Sequence, residues 1–178
     1  VFGSSHDISV NSVNTLVGGN QNSETTGTNN AIFGNLNKSS STSNTITGGN
    51  TNTSNTVVNS LIIGQNHTST SLSHGLVSGN NNTVSNSLKS LLHGDSNTVQ
   101  NSNDNIVSGK SNSLASDNYS AVFGNNNSLT TTVGNIVGGD NNTLINTDRD
   151  IIQGVGNRAT NSDNIIMVGE SHIAENSD

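Results

Sequence analysis

The sequence predicts an all-β chain: a parallel β-roll, or β-solenoid, of about twelve coils of fifteen residues each, assembled as a trimeric β-prism. Three observations predict it. Glycine recurs every fifteen residues without exception, at Gly19, Gly34, Gly49, Gly64, Gly79, Gly94, Gly109, Gly124, Gly139, Gly154 and Gly169. Two adjacent apolar residues precede all of these glycines but Gly49, where the second is Thr47, and asparagine follows most of them at a fixed distance. A strict period of this length is the signature of stacked repeats, in which each coil buries its apolar face only against its neighbours.

Taken in order, Val1, Phe2 and Gly3 read as the end of a first unit in which Ser4 takes the glycine position. Leu16-Val17 opens the next unit, and the cadence runs on through Ile46-Thr47, Leu91-Leu92 and Ala121-Val122 to Ile166-Met167. Short β-branched and aliphatic runs closed by glycine read as strands, and nothing has helical spacing. Stacked coils about 4.8 Å apart make a rod of roughly 55 Å. Glycine at a fixed corner suits a positive φ or a backbone too close to its neighbour for a Cβ. The third residue after the glycine is Asn22, Asn37, Asn52, Asn82, Asn97, Asn112, Asn127, Asn142 or Asn157, with His67 and His172 in the other two registers. Stacked Asn side chains are expected to bond one another and the bend carbonyls. The two histidines are expected to replace them as hydrogen-bonding groups.

A second apolar column, five residues after the glycine, runs from Val84 through Val99, Leu114, Leu129 and Leu144 to Ala159 and Ala174. The earlier coils carry Glu24, Ser39, Ser54 and Ser69 there, so Val57, Val58 and Leu72 are the expected replacements from shifted positions.

Only 28% of the residues are hydrophobic and 10% charged. Such poverty ordinarily means disorder, but disorder does not hold a glycine in phase over eleven units. Absence of cysteine excludes disulfides and thiolate metal sites. Absence of proline fits uninterrupted ladders. A net charge of -7 with five Lys and Arg disfavours nucleic acid and anionic membrane. No apolar run is long enough for membrane insertion. A chain that opens in mid-repeat without methionine reads as a piece of a longer fibre.

Adjacent apolar positions on a strand point to opposite faces, so one of the pair faces outward in every coil. Sequence alone does not say which. The outward column is read as Leu16, Ala31, Ile46, Leu61, Leu76, Leu91, Ile106, Ala121, Ile136, Ile151 and Ile166. A stripe of that length calls for a covering chain, and rotational symmetry is the usual means. Three rods around one axis bury it as a homotrimer interface.

Asn59-Ser60-Leu61-Ile62-Ile63-Gly64 and Ser120-Ala121-Val122-Phe123-Gly124 resemble the head repeats of trimeric autotransporter adhesins of the YadA type. The resemblance covers nearly the whole chain and implies a trimer of left-handed parallel β-rolls at a bacterial surface. Similar rolls are implied in phage tail fibres. The chain departs from the family in its few alanines and many asparagines, and no neck, stalk or anchor is read within these 178 residues. Asn105-Ile106-Val107-Ser108-Gly109 and Asn135-Ile136-Val137-Gly138-Gly139 are also similar to the repeats of grass ice-binding β-rolls, which are monomers with a flat Thr/Ser/Val face.

The chemistry-bearing residues suggest little catalysis. His6, His67, His74, His93 and His172 never stand one coil apart, so no two stack as metal ligands. Asp148, Asp163 and Asp178 do stack; Ca²⁺ is the ligand such a column would take, and a solvated acidic edge is the plainer reading. No Ser/His/Asp set or phosphate loop assembles, and the Asn-x-Ser/Thr triplets are expected by chance. The expected function is a non-enzymatic, cofactor-free, extracellular attachment fibre, adhesin head or tail-fibre segment. It would bind a cell-surface receptor, glycan or matrix protein, with Lys89, Tyr119 and Arg149 on its lateral faces. A pure spacer and an ice-binding monomer are the alternatives.

Overall fold

The structure, a computed structural model, describes residues 1–177. Two parallel sheets of twelve strands each are laid down alternately by the chain. Each coil after the first gives a five-residue strand to the long sheet, as at Ala121–Asn125, and usually a three-residue strand to the short sheet, as at Ser128–Thr130. A third face is held mostly by isolated bridges, such as Asn118 to Val133 and Val133 to Asp148, and by strand pairing where Thr68–Ser73 and Thr83–Leu88 run onto it. Pairing repeats at fifteen residues, with Ala121 opposite Ile136 and Gly124 opposite Gly139.

The corners lie where the sequence reading did not put them. Gly124 sits inside its strand, and the chain turns two residues later at Asn126, then at Thr131 and Gly134, all with positive φ. Elsewhere the same corners are made by Gln21, Thr26 and Asn29 without any glycine. The physical demand on the glycine column is nevertheless the expected one. Gly124 has φ 118°, and a Cβ there would stand 2.0 Å from the Gly139 carbonyl oxygen. All eleven repeat glycines hold φ between 105° and 135°, a region that side chains with a Cβ avoid.

The first coil also differs from expectation. Gly3, not Ser4, pairs with Gly19, so this coil has one residue more than the others. The addition is absorbed between Ile8, opposite Glu24, and Val13, opposite Thr28. A turn closed by the Ser12 N–H donating to Ser9 O lifts Val10 to 98% exposure.

The core is a single-file stack. The residue two before each glycine points inward: Val17, Ile32, Thr47, Ile62, Val77, Leu92, Val107, Val122, Val137 and Ile152 are all fully buried. Opposite them the column from Val84 to Ala159 is equally buried. Each full-sized side chain contributes about 1.5–3 kcal/mol by leaving water. Before Val84 the complement shifts three residues on, to Val57 and Leu72, while Ser54 and Ser69 shrink to make room. Val58, the other expected replacement, lies instead in the third-face bridges, only partly buried. The coils of Glu24 and Ser39 are filled on this side by polar groups alone, namely Glu24, Asn30, Ser39 and Thr42.

Candidate functional site: the outer faces of the rod

The inward turn of Val122 and its column sends the preceding residue outward. Leu16, Ile46, Ile106, Ile136 and Ile151 are 39–46% exposed and Ile166 is 74% exposed. Ala31, Leu61, Leu76, Leu91 and Ala121 are half-buried in the same line. One position past the inward residue the chain again faces out, bringing Phe33, Ile63, Phe123 and Val168 onto the same face. The long sheet therefore carries two parallel outer columns, and the expected stripe is the first of them. Beside it, Asn44, Asn59, His74 and Lys89 rim a shallow groove of about 500 Å³ whose floor includes Ile46, Leu61, Leu76 and Leu91.

The short sheet is different in chemistry. Its outward positions begin with Thr53, Thr68, Thr83 and Thr98 in direct register and continue through Ser113, Ser128 and Thr143. Lys38 and Arg158 stand in the same line one coil outside this run. A row of hydroxyls and methyls at one per coil is set by the sheet spacing of about 4.8 Å.

The asparagine column is structural. Asn37 Nδ2 donates 2.9 Å to Phe33 O in its own coil and 2.9 Å to Gly49 O in the next, while its Oδ1 accepts from the Asn52 N–H at 3.0 Å. Asn22, Asn52, Asn82, Asn97, Asn112, Asn127, Asn142 and Asn157 are likewise buried, each at most 1% exposed. Only an amide offers two donors and an acceptor at this length. His67 takes the same place, with Nε2 3.1 Å from Ile63 O and Nδ1 accepting from the Asn82 N–H. Burial holds its pKa below the ordinary histidine value, against smaller opposing backbone hydrogen bonds, which fits the neutral imidazole this pattern requires. His172 takes the corresponding place in its coil, with Nε2 3.2 Å from Val168 O. His6 joins them, three residues after Gly3; the sequence reading missed it by taking Ser4 as the register.

Three carboxyls lie inside the rod. Glu24, Asp117 and Asp150 are fully buried, and burial raises the pKa of each, opposed by hydrogen bonds. Asp117 Oδ1 accepts from Ser120 at 2.8 Å and from Thr132, while Oδ2 has no partner among the described residues; Glu24 Oε2 and Asp150 Oδ2 have none either. The two ion pairs among the described residues, Lys89 to Asp104 at 3.6 Å and Arg158 to Glu175 at 3.7 Å, are on the surface.

Asp148 and Asp163 stack on the third face and line a groove of about 490 Å³, with the Asp148 N–H donating 3.0 Å to Asp163 Oδ1. Asp178, the third member of the expected column, lies outside the described residues. No group of three His, Cys, Asp or Glu suited to a metal occurs among the described residues. Lys89, Tyr119 and Arg149 occupy one corner of the rod in alternate coils, all with positive φ, and Lys89 is engaged by Asp104. They form no cluster.

No protein-family model and no curated protein matches the chain. A solved structure that it resembles is the UDP-N-acetylglucosamine acyltransferase from Campylobacter jejuni, at 11% identity and a TM-score of 0.22. The match covers 97% of this chain and 66% of that one, just under two thirds of its length. At that score the likeness carries no argument about activity.

Proposed function

We propose that the chain is a non-enzymatic rod that self-associates as a homotrimer and serves as a segment of an extracellular attachment fibre, of the adhesin-head or tail-fibre kind. The observation that carries this reading is the outward aliphatic column of the long sheet, from Leu16 to Ile166, half-exposed over eleven successive coils. Its regularity has no role in a single rod, and a second copy covers it at no cost in specificity. Light scattering is expected to give three chains per particle, and Ile106→Asp with Ile136→Asp to give monomers that keep their β-rich circular dichroism. Binding of the assembled rod to cells, glycans or matrix separates attachment from spacing. A one-chain mass at micromolar concentration removes the reading.

A second reading, ice binding by single rods, is favoured by the short sheet's uncharged hydroxyl row from Thr53 to Thr143. Inhibition of ice recrystallisation by wild type, abolished by Thr83→Lys with Thr98→Lys and untouched by the two Asp variants above, would establish it.

A further inference from the structure

Glu24 carries a carboxyl into the rod with no cationic side chain to balance it. It is fully buried, and neither of the two surface ion pairs involves it. Its carboxyl lies in the space that a side chain at Gly27 would fill, against the Asn30 amide. Oε1 accepts from Asn30 Nδ2 at 2.9 Å and from Thr42 Oγ1 at 3.5 Å. Thr42 is itself held by Asn30 at 2.8 Å and Ser39 at 2.7 Å. All these contacts come from the coil of Glu24 and the coil after it, and Oε2 has none among the described residues. In the coil before it, Val13 pairs with Thr28 and Leu16 with Ala31, which sets Ser12 beneath Gly27 and Thr15 beneath Asn30. Both hydroxyls are buried and, like Glu24 Oε2, have no hydrogen-bond partner among the described residues. Three free oxygens from two adjacent coils therefore flank the place of the Gly27 side chain. The other buried carboxyls differ: around Asp117 the hydroxyls of Ser102, Ser120 and Thr132 are all engaged, and Asp150 has only that of Thr147 free beside it.

We propose that the Glu24 carboxylate, with the Ser12 and Thr15 hydroxyls, binds a monovalent cation of the Na⁺ kind inside the rod. Carboxylate and hydroxyl oxygens are the ligands that hard cations take. The coil spacing of about 4.8 Å is twice a cation–oxygen distance of about 2.4 Å, typical of such ions, so an ion held between the two coils reaches oxygens of both. Charge selects its valence. One carboxylate balances one positive charge, whereas a divalent ion would leave a net charge in the interior, which burial penalises. The protein's own cations do not fill the role: Lys38, on the neighbouring strand, is exposed, and Ser39 beside it is the residue that turns inward. The ion and a proton are alternative counter-charges for the same carboxyl, so the site is tested at mildly alkaline pH. The proposal is independent of how rods associate.

Urea unfolding is followed while NaCl replaces choline chloride at constant ionic strength. The folding equilibrium constant is expected to rise about tenfold for each tenfold in Na⁺ above its dissociation constant. Sodium NMR is expected to show a resonance broadened by the folded wild-type chain and sharp with Glu24→Gln, whose stability should not respond to Na⁺. Ser12→Ala with Thr15→Val keeps the carboxylate, and is expected to move the Na⁺ dependence to concentrations about tenfold higher or more. Asp117→Asn is expected to leave that dependence unchanged. Equal midpoints in NaCl and choline chloride for wild type would overturn the proposal and leave a proton as the counter-charge. A Na⁺ dependence that survives in Glu24→Gln would overturn it as well, by placing the ion elsewhere. Should Glu24→Gln fail to fold, the hydroxyl variant decides: a Na⁺ dependence and a resonance width identical to wild type refute the site. Stabilisation by CaCl₂ with none by NaCl overturns the monovalent assignment.

Discussion

The coils before Leu72 and those after Val84 share one backbone and fill it in opposite ways. In the coils of Ser54 and Ser69 the short strand points a hydroxyl inward and the corner three residues on supplies Val57 or Leu72. In the coils of Val99 and Leu129 the strand supplies the apolar group and the corner carries Ser102 or Thr132. Each of these coils buries one apolar group on this side, and its location is not fixed. A solenoid constrains what each cross-section holds, because every coil is packed only against the coils on either side.

Changes to the backbone should erase the difference between the two regions. Gly49→Ala and Gly124→Ala each place a Cβ within 2.0 Å of the next coil's carbonyl oxygen, so each is expected to cost more than about 4 kcal/mol. Urea unfolding that shows one of them tolerated would mean that the coils are not equivalent.

Changes to the core should reveal the difference. Leu72→Ala and Leu129→Ala are each expected to cost about 2–5 kcal/mol although they sit at different positions in their coils. Ser69→Val alone should cost about 1–3 kcal/mol by overpacking, and Ser69→Val with Leu72→Ser should recover part of that loss by converting an early coil to the late pattern. A double variant less stable than both single ones would break the comparison.

Acid should strengthen the two regions unequally. The raised pKa values of Glu24, Asp117 and Asp150 mean that the folded chain binds these protons more tightly than the unfolded chain does. Their contribution is full below the unfolded carboxyl values and is lost as pH rises through the folded ones. The unfolding midpoint is therefore expected to fall from acid toward neutral pH. Asp117→Asn should flatten that slope in the late coils, seen by hydrogen exchange, with little change around Glu24. A slope unchanged in Asp117→Asn would assign the acid effect to other groups.

The smallest effect is expected at the third face. Two glycines inserted after Val10 should leave the melting temperature within a few degrees, whereas the same insertion after Asn126 should separate the coils on either side and lower it sharply.

Much of this architecture was legible in the residues, for reasons that also explain the gaps. The glycine column is visible because a carbonyl 2.0 Å from a would-be Cβ tolerates nothing else. The true corners at Gln21, Leu36 and Thr51 were not visible, because the left-handed conformation costs only about 1–2 kcal/mol there and many residue types accept it. The inward column was undecidable from an adjacent apolar pair, and only the strand's orientation at Val122 separated it from Ala121. The burial of Asp117 and Asp150 was not legible, since nothing in their spacing marks it. His6 was hidden by the extra residue between Ile8 and Val13.

That extra residue has a consequence of its own. The first coil is longer than the rest, yet Asp7 and Ile8 still pair with Ser23 and Glu24, and Val13 with Thr28. The slack is taken up where the chain is tied to its neighbour by a single bridge and not by a strand. In the first coil the slack is confined to the span between Ile8 and Val13, between the short sheet's ladder and the third-face bridge. A loop or an entire domain grafted there would stand out from the side of the rod without disturbing the count of any coil above or below it.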